Sequence, residues 1–373
     1  MLDSIKFNCR YFKGHIPCIP NKLRNKICNK CDESTPISKR ILIIKLGAIG
    51  DVIRTTPLIV KYRQLYPDCH ITWVTHSPEI LPSDQVDTIC RFDFPSIYSI
   101  QNTKFDIAIN LDKETEACSL LKDVNATEKF GFIWKDHHID IATPAAEHKL
   151  ITGLFDNISK ENKKNYLEEI FEICHLTFNE EPYLLNVDAG LSKKWLVLKK
   201  QSEGKPVIGL NTGCGKRWTT RLWPNEYWFQ LIEKLNVSGY YLILLGGEAE
   251  DENNKSLAKQ SGAYYPGHFS LKEFIAITSN CNLVVTQVSM MMHIVTALRI
   301  PLVLMNNIFN SQEFYLYNNG VIMEPTTGCD CYYGNTCKRE RNCMQDISVE
   351  MIVKNIHNLL NNKLDEVTEV RRS

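Results

Sequence analysis

Two short loops hold most of the residues whose types and spacing could do chemistry. The first reads Lys45-Leu46-Gly47-Ala48-Ile49-Gly50-Asp51-Val52-Ile53-Arg54-Thr55-Thr56-Pro57. It follows an apolar run and precedes helical spacing, as a loop that cradles a phosphate or another substrate should. Gly47 and Gly50 open it, and Asp51 is placed to take a proton from a sugar hydroxyl. The same Asp51 would also suit a helix N-terminus, where a carboxylate meets the positive end of the dipole. The spacing is not the dinucleotide fingerprint, because the third glycine is missing and a carboxylate follows the second.

The second loop reads Asn211-Thr212-Gly213-Cys214-Gly215-Lys216-Arg217-Trp218, then Thr219-Thr220-Arg221-Leu222-Trp223-Pro224. Backbone N–H groups and the Thr212 hydroxyl could take diphosphate oxygens, with Gly213 allowing close approach. Lys216, Arg217 or Arg221 would balance the charge. A merely structural turn would not need three cations and two glycines in so short a stretch.

Cysteines form a third group. Of fourteen, Cys9, Cys18, Cys28 and Cys31 lie in the leader, the last two as Cys-x-x-Cys, and Cys329, Cys331, Cys337 and Cys343 lie in a late loop. Each set supplies the four thiolates of a tetrahedral site, so the leader cysteines are candidate ligands for structural zinc or iron. The alternative is reduced, packed thiols, which a reducing compartment favours. The remaining six cysteines read as core or loop residues.

These residues need elements to position them. A chain of 373 residues is too long for one ordinary core and suggests two domains. Apolar residues make up 44% and charged residues 23%, an ordinary globular composition. The net charge of zero argues against a general nucleic-acid binder. No apolar stretch approaches a membrane span and no signal peptide is read, so a cytoplasmic protein is expected. The basic run Lys6, Arg10, Lys13, Lys22, Arg24, Lys26 and Lys30 reads as a solvated face or as a peripheral contact with the anionic inner membrane.

Residues 1–38 form an irregular Cys-containing leader, and a strand–helix alternation begins at Arg40. Strands are expected at 41–46, 71–75 and 105–111, with Thr56-Pro57 starting a helix and another helix over 165–176. The rhythm restarts with strands at 206–211, 241–245, 283–286 and 302–305. Helices follow Pro224, the Ser270–Glu273 capping box, Ser289 and Ser348. The expected fold is α/β: leader 1–38, a Rossmann-like domain over 39–190, and a second over 191–373 ending in a helix. Chemistry in such folds sits just after the strands.

The run 41–57, the run 211–228, Leu244-Leu245-Gly246-Gly247-Glu248, Met292-His293 and the late cysteine stretch together resemble glycosyltransferase family 9, the heptosyltransferases. Phe105–Lys113 is also similar to its pattern, and the resemblance runs over about residues 40–360 in the family's order. It implies a GT-B architecture, two Rossmann-like domains facing a cleft, and an inverting transfer that requires no cofactor. A nucleotide-diphosphate sugar of the ADP-heptose type would bind the C-terminal domain. The acceptor, a glycan such as lipopolysaccharide core or else a protein, would bind the N-terminal one.

By resemblance Asp51 is the catalytic base and Gly47 and Gly50 belong to the acceptor-side loop. Thr212, Gly213, Lys216, Arg221, Glu248, Ser289 and His293 fall on the donor side. The chain departs from the family where Val288-Ser289 replaces the usual Asp-Thr. A valine cannot hydrogen-bond a donor hydroxyl, so another donor sugar, or a nucleotide-sugar-binding homologue with impaired catalysis, are the alternatives.

Overall fold

The computed structural model describes residues 2–370 and divides into two compact units. One comprises Met1–Ala48, Thr55–Leu150 and Leu167–Pro182; the other comprises Ile49–Arg54, Ile151–Tyr166 and Tyr183–Ser373.

The first unit is built on strands β1 (Arg40–Ile44), β2 (His70–Thr75), β3 (Thr88–Arg91), β4 (Lys104–Asn110), β5 (Asn125–Lys135) and β6 (His138–Ile141). They lie in the order β3-β2-β1-β4-β5-β6, parallel except for the β5–β6 pair. Ile41, Leu42, Ile43 and Ile44 are all fully buried, which is why β1 reads as an unbroken apolar run rather than an alternation. Leu42, Ile44, Val74, Phe105 and Ala108 pack on Ala117, Leu120 and Leu121 of the helix Thr115–Asp123. The strand order reverses between β1 and β4, the place where open α/β sheets gather polar side chains. Lys45, just past β1, pairs there with buried Asp112, which also accepts from the backbone N–H of Leu46.

Thr56 does not cap a helix as expected. The turn before it, Ile49–Thr55, is already helical, so Thr56 has αR backbone angles and no side-chain capping bond before the helix Pro57–Leu65. The leader contains a six-residue helix, Ile19–Arg24, and a 3-10 turn, Cys28–Lys30, and Cys9 bridges to Pro36.

The second unit contains β7 (Val207–Asn211), β8 (Tyr241–Leu245), β9 (Leu283–Gln287), β10 (Leu302–Met305) and β11 (Gly320–Met323). All pairs are parallel, in the order β11-β10-β9-β7-β8. Trp228, Leu231, Ile232 and Leu235 of the helix Asn225–Val237 share a core with Ile352 and Ile356 of the last helix, Val349–Val370. Trp223 meets Trp228 edge-on at 5.0 Å and donates to the carbonyl of Ile347 at 2.9 Å. Ser348 caps the last helix by accepting from Met351 N at 3.2 Å. Ser270 accepts from Glu273 N at 3.4 Å, while the Glu273 carboxylate serves Lys194 and Trp195 rather than closing the box.

Gly131 shows how tightly the first sheet is drawn. Its φ is +95°, and a Cβ there would stand 1.8 Å from the carbonyl oxygen of Asn110. Asn110 in turn donates to the carbonyls of Phe132 and Asp112 at 2.7 and 2.9 Å, so the strand end carrying Asp112 depends on this approach. Gly131→Ala is expected to destabilise the protein by about 3 kcal/mol or more in chemical denaturation. An unchanged midpoint would contradict this account of the β4–β5 contact.

Candidate functional site

The strand order of the second sheet reverses between β7 and β9, and a cavity of about 450 Å³ lies at their carboxyl ends. Gly213 to Lys216 line it after β7, Gly246 to Glu250 after β8, and Ser289 to Met291 after β9. Phe269, Leu271 and Phe274 give it an apolar wall, and Ile49 also contributes. A pocket with apolar walls and convergent polar groups suits a ligand with a flat apolar end and a charged end. Ser289 is the N-cap of the helix Met290–Ala297, accepting from Met291 N at 3.3 Å. The positive end of that helix therefore faces the cavity and favours an anion.

The three cations of the 211–224 loop do three different jobs. Lys216 lines the cavity. Arg217 lies over the Trp218 ring at 4.3 Å. Arg221 is buried and is not among the lining residues; it donates to the carbonyls of Trp218 (3.1 Å), Cys214 and Val288. A guanidinium carries donors in a fixed fork and suits such a clamp better than an ammonium would. Burial lowers its pKa from the ordinary arginine value. Thr212 is likewise turned inward, its hydroxyl donating to Asn254 Oδ1 at 2.7 Å. Val288, where the family pattern carries a carboxylate, is buried and lines no part of the cavity; its carbonyl serves Arg221.

Glycines in this site answer to close contacts. A Cβ on Gly213 would lie 2.3 Å from the Glu250 carboxyl group, and one on Gly50 would lie 2.7 Å from Cδ2 of His293. Glu250 escaped sequence reading. Its signal was the Gly246-Gly247 pair followed three residues later by a carboxylate, which accepts from Gly247 N at 2.9 Å. Glu248 lines the cavity beside it.

Asp51 occupies the first turn of the helix Ile49–Thr55, two residues past cavity-lining Ile49. Arg54, one turn on, donates to Asp51 Oδ1 at 2.7 Å; the two side chains are 15% and 34% exposed. The Arg54 guanidinium lies 3.4 Å over the Tyr166 ring, so its rotamer is held from the far side. Burial opposes its charge, but Asp51, Tyr166 and Glu313 outweigh that and raise its pKa. His293 is stacked on Tyr183 at 6.2 Å and its Nδ1 has no hydrogen-bond partner. Burial, aided by Arg54, pushes its pKa down to about 3, so the ring is neutral at physiological pH. Asp51, Gly50 and His293 thus come together in the second unit, while Gly47 ends the β1 loop in the first, with open space where a Cβ would be.

The expected metal site in the leader is not formed. Cys18 precedes the helix Ile19–Arg24, Cys28 and Cys31 bracket a single 3-10 turn, and Cys9 sits in the bridge to Pro36. Among the described residues no three His, Cys, Asp or Glu side chains are placed to hold a metal ion together, and all fourteen cysteines are free. In the late loop, Cys343 accepts from Asn307 Nδ2 at 3.4 Å and Cys329 accepts from Cys331 N at 3.4 Å.

A profile of glycosyltransferase family 9 (heptosyltransferase) matches residues 97–322, which takes in the cavity loops and leaves Asp51 outside the matched span. Lipooligosaccharide heptosyltransferase 2 of Haemophilus influenzae is 22% identical over 298 residues, covering 70% of this chain and 82% of that protein. A solved family 9 glycosyltransferase from Veillonella parvula superposes with a TM-score of 0.69 at 19% identity, covering 87% of this chain and 98% of that one. For ADP-heptose lipopolysaccharide heptosyltransferase II of E. coli the TM-score is 0.64 at 17% identity, covering 87% and 99%. At these identities the structures speak to fold, and the fold is the GT-B arrangement of two parallel-stranded α/β units.

Arg221→Met should leave buried carbonyls without a donor. A loss of about 3 kcal/mol in denaturation is expected. Wild-type stability in this variant would show that the clamp does not organise the loop.

Proposed function

Because the chain belongs to glycosyltransferase family 9, we propose that it moves heptose from ADP-heptose to a saccharide acceptor such as lipopolysaccharide core or another surface glycan. The observation that carries this reading is the cavity after β7 and β9. There a glycine-rich loop, Lys216 and a helix N-terminus line the same cavity as the apolar side chains of Phe269, Leu271 and Phe274. The polar groups fit a diphosphate and the apolar side chains fit a base.

In this reading Asp51 takes the proton of the acceptor hydroxyl as its oxygen attacks the anomeric carbon from the face opposite the leaving group. The bond from that carbon to the diphosphate oxygen breaks, and ADP departs with inversion. Charge growing on the diphosphate is met by Lys216, by backbone N–H groups of the 213–215 turn and by the helix dipole behind Ser289. Arg221 and Thr212 act one step removed, by holding the loop that presents those groups. Neutral His293 packs beneath Gly50 and fixes the height of the turn that carries Asp51. Glu248 and Glu250 supply the cavity's carboxylates in place of the family's Asp, and are the natural acceptors for ribose or sugar hydroxyls. Polar groups at the first unit's own switch point, Lys45, Asp112 and Lys113, are the proposed acceptor side. Burial holds Lys113 down to about 8 there.

The test is ADP release and product formation from ADP-heptose with heptose-free lipopolysaccharide. Asp51→Asn should lower kcat by about 100-fold or more while ADP still raises the melting temperature. Full turnover in Asp51→Asn would remove it as the base. Stabilisation by another nucleotide sugar and not by ADP-heptose would discard heptose but keep the transferase.

A further inference from the structure

The leader exposes apolar surface out of proportion to its length. Of the seventeen large hydrophobic side chains exposed among the described residues, seven fall within residues 2–27. Leu2, Leu23 and Ile27 are 72%, 70% and 65% exposed. Ile19 and Leu23 lie one turn apart on the helix Ile19–Arg24, and Ile16 and Ile27 flank its two ends. Phe7 and Phe12, also exposed, pack edge to face at 5.3 Å and present a further aromatic knob. Scattered apolar residues on a surface need no explanation, but a concentration of this kind marks something that covers it.

Charge says what kind of cover. Residues 1–38 hold seven Lys and Arg against three Asp and Glu in a chain whose net charge is zero. Three of those cations are committed elsewhere: Arg10 to Asp87, Arg24 to Glu33 and Lys26 to Asp32. Lys6, Lys13, Lys22 and Lys30 form no ion pair among the described residues. Lys6 and Lys13 each donate to one backbone carbonyl, of Cys31 and Asp87 at 3.4 Å, and all four are exposed and alternate along the sequence with exposed Leu, Ile and Phe. Such long apolar stems with charged heads suit a lipid headgroup boundary. A protein partner's apolar groove would account for the apolar side chains but not for four lysines without an ion partner interspersed with them in the sequence. No helix among the described residues is long and apolar enough to cross a membrane, so the contact is with a surface.

We propose that the leader is a docking surface for an anionic lipid bilayer. Leu23, Ile27 and their neighbours enter the headgroup boundary while Lys6, Lys13, Lys22 and Lys30 meet the phosphates. Such a surface would hold the enzyme where a lipid-anchored saccharide is presented. The contact itself stands apart from the identity of donor and acceptor.

Vesicle co-sedimentation of the full chain tests this directly. Vesicles of phosphatidylethanolamine with phosphatidylglycerol are expected to carry down most of the protein at 0.1 M salt, and phosphatidylcholine vesicles little of it. Binding should fall as salt rises, each lysine being worth roughly fivefold near an anionic surface. Leu23→Ser with Ile27→Ser, and separately Lys22→Glu with Lys30→Glu, should each reduce binding at least about tenfold. All four side chains lie outside the buried core, so circular dichroism melts should match the wild type. Protein left in the supernatant with both vesicle types overturns the proposal, as does binding that neither double variant changes. A wild-type oligomer that becomes monomeric in Leu23→Ser with Ile27→Ser, without vesicle binding, would assign these apolar side chains to a second copy of the chain and overturn it too.

Discussion

One buried guanidinium sets the geometry of the loops around the cavity after β7 and β9. Arg221 reaches the carbonyls of Cys214 and Trp218 in the loop after β7 and of Val288 after β9, and so ties together the two strand ends at which the sheet order reverses. The rings of Trp218 and Phe309 lie beside it, which keeps water from competing for those hydrogen bonds. Because Arg221 is buried, turned to the backbone and absent from the cavity lining, a ligand in the cavity must find its positive partners elsewhere. Lys216 and the N-terminus behind Ser289 are what the cavity offers. At Val288 it is the backbone carbonyl, and not the side chain, that takes part in the clamp.

Asp51 is held by a second set of contacts of the same character. Gly50 permits the helix to rest on the His293 ring, and Arg54 is pinned between Asp51 and the Tyr166 face. A neutral imidazole packs against Gly50, and a cation held on the Tyr166 ring lies beside the carboxylate. Both arrangements spend buried polar groups on positioning, which leaves Asp51 and Lys216 accessible.

Much of this was legible in the sequence because buried parallel strands leave a plain mark. Apart from Arg40, Tyr241 and Met305, β1, β8 and β10 are runs of Ile, Leu and Val with no alternation, and their ends place the loops after them. The glycines and the run of cations marked a loop that lines the cavity. What the sequence could not show was how the cations divide their work, since that depends on carbonyls 67 residues away in the chain, as for Arg221 and Val288. Arg54 and Glu250 were missed for the same reason: their roles come from Tyr166 and from Gly213, contacts set by packing. β3 is short and only partly buried, and the helix Asp251–Ser261 is polar on most of its surface, so neither carries a clear period. The leader cysteines misled because four thiols in a short segment match a metal site in number, while the fold spaces them along separate turns.

Hydrogen–deuterium exchange with and without ADP tests the central claim most directly. Protection confined to amides of 212–216 and 289–292 is the expected result, since those segments present the loop N–H groups and the first turn of the helix to the cavity. No protection there, or protection only in the first sheet, would contradict the assignment of the cavity after β7 and β9 to the nucleotide.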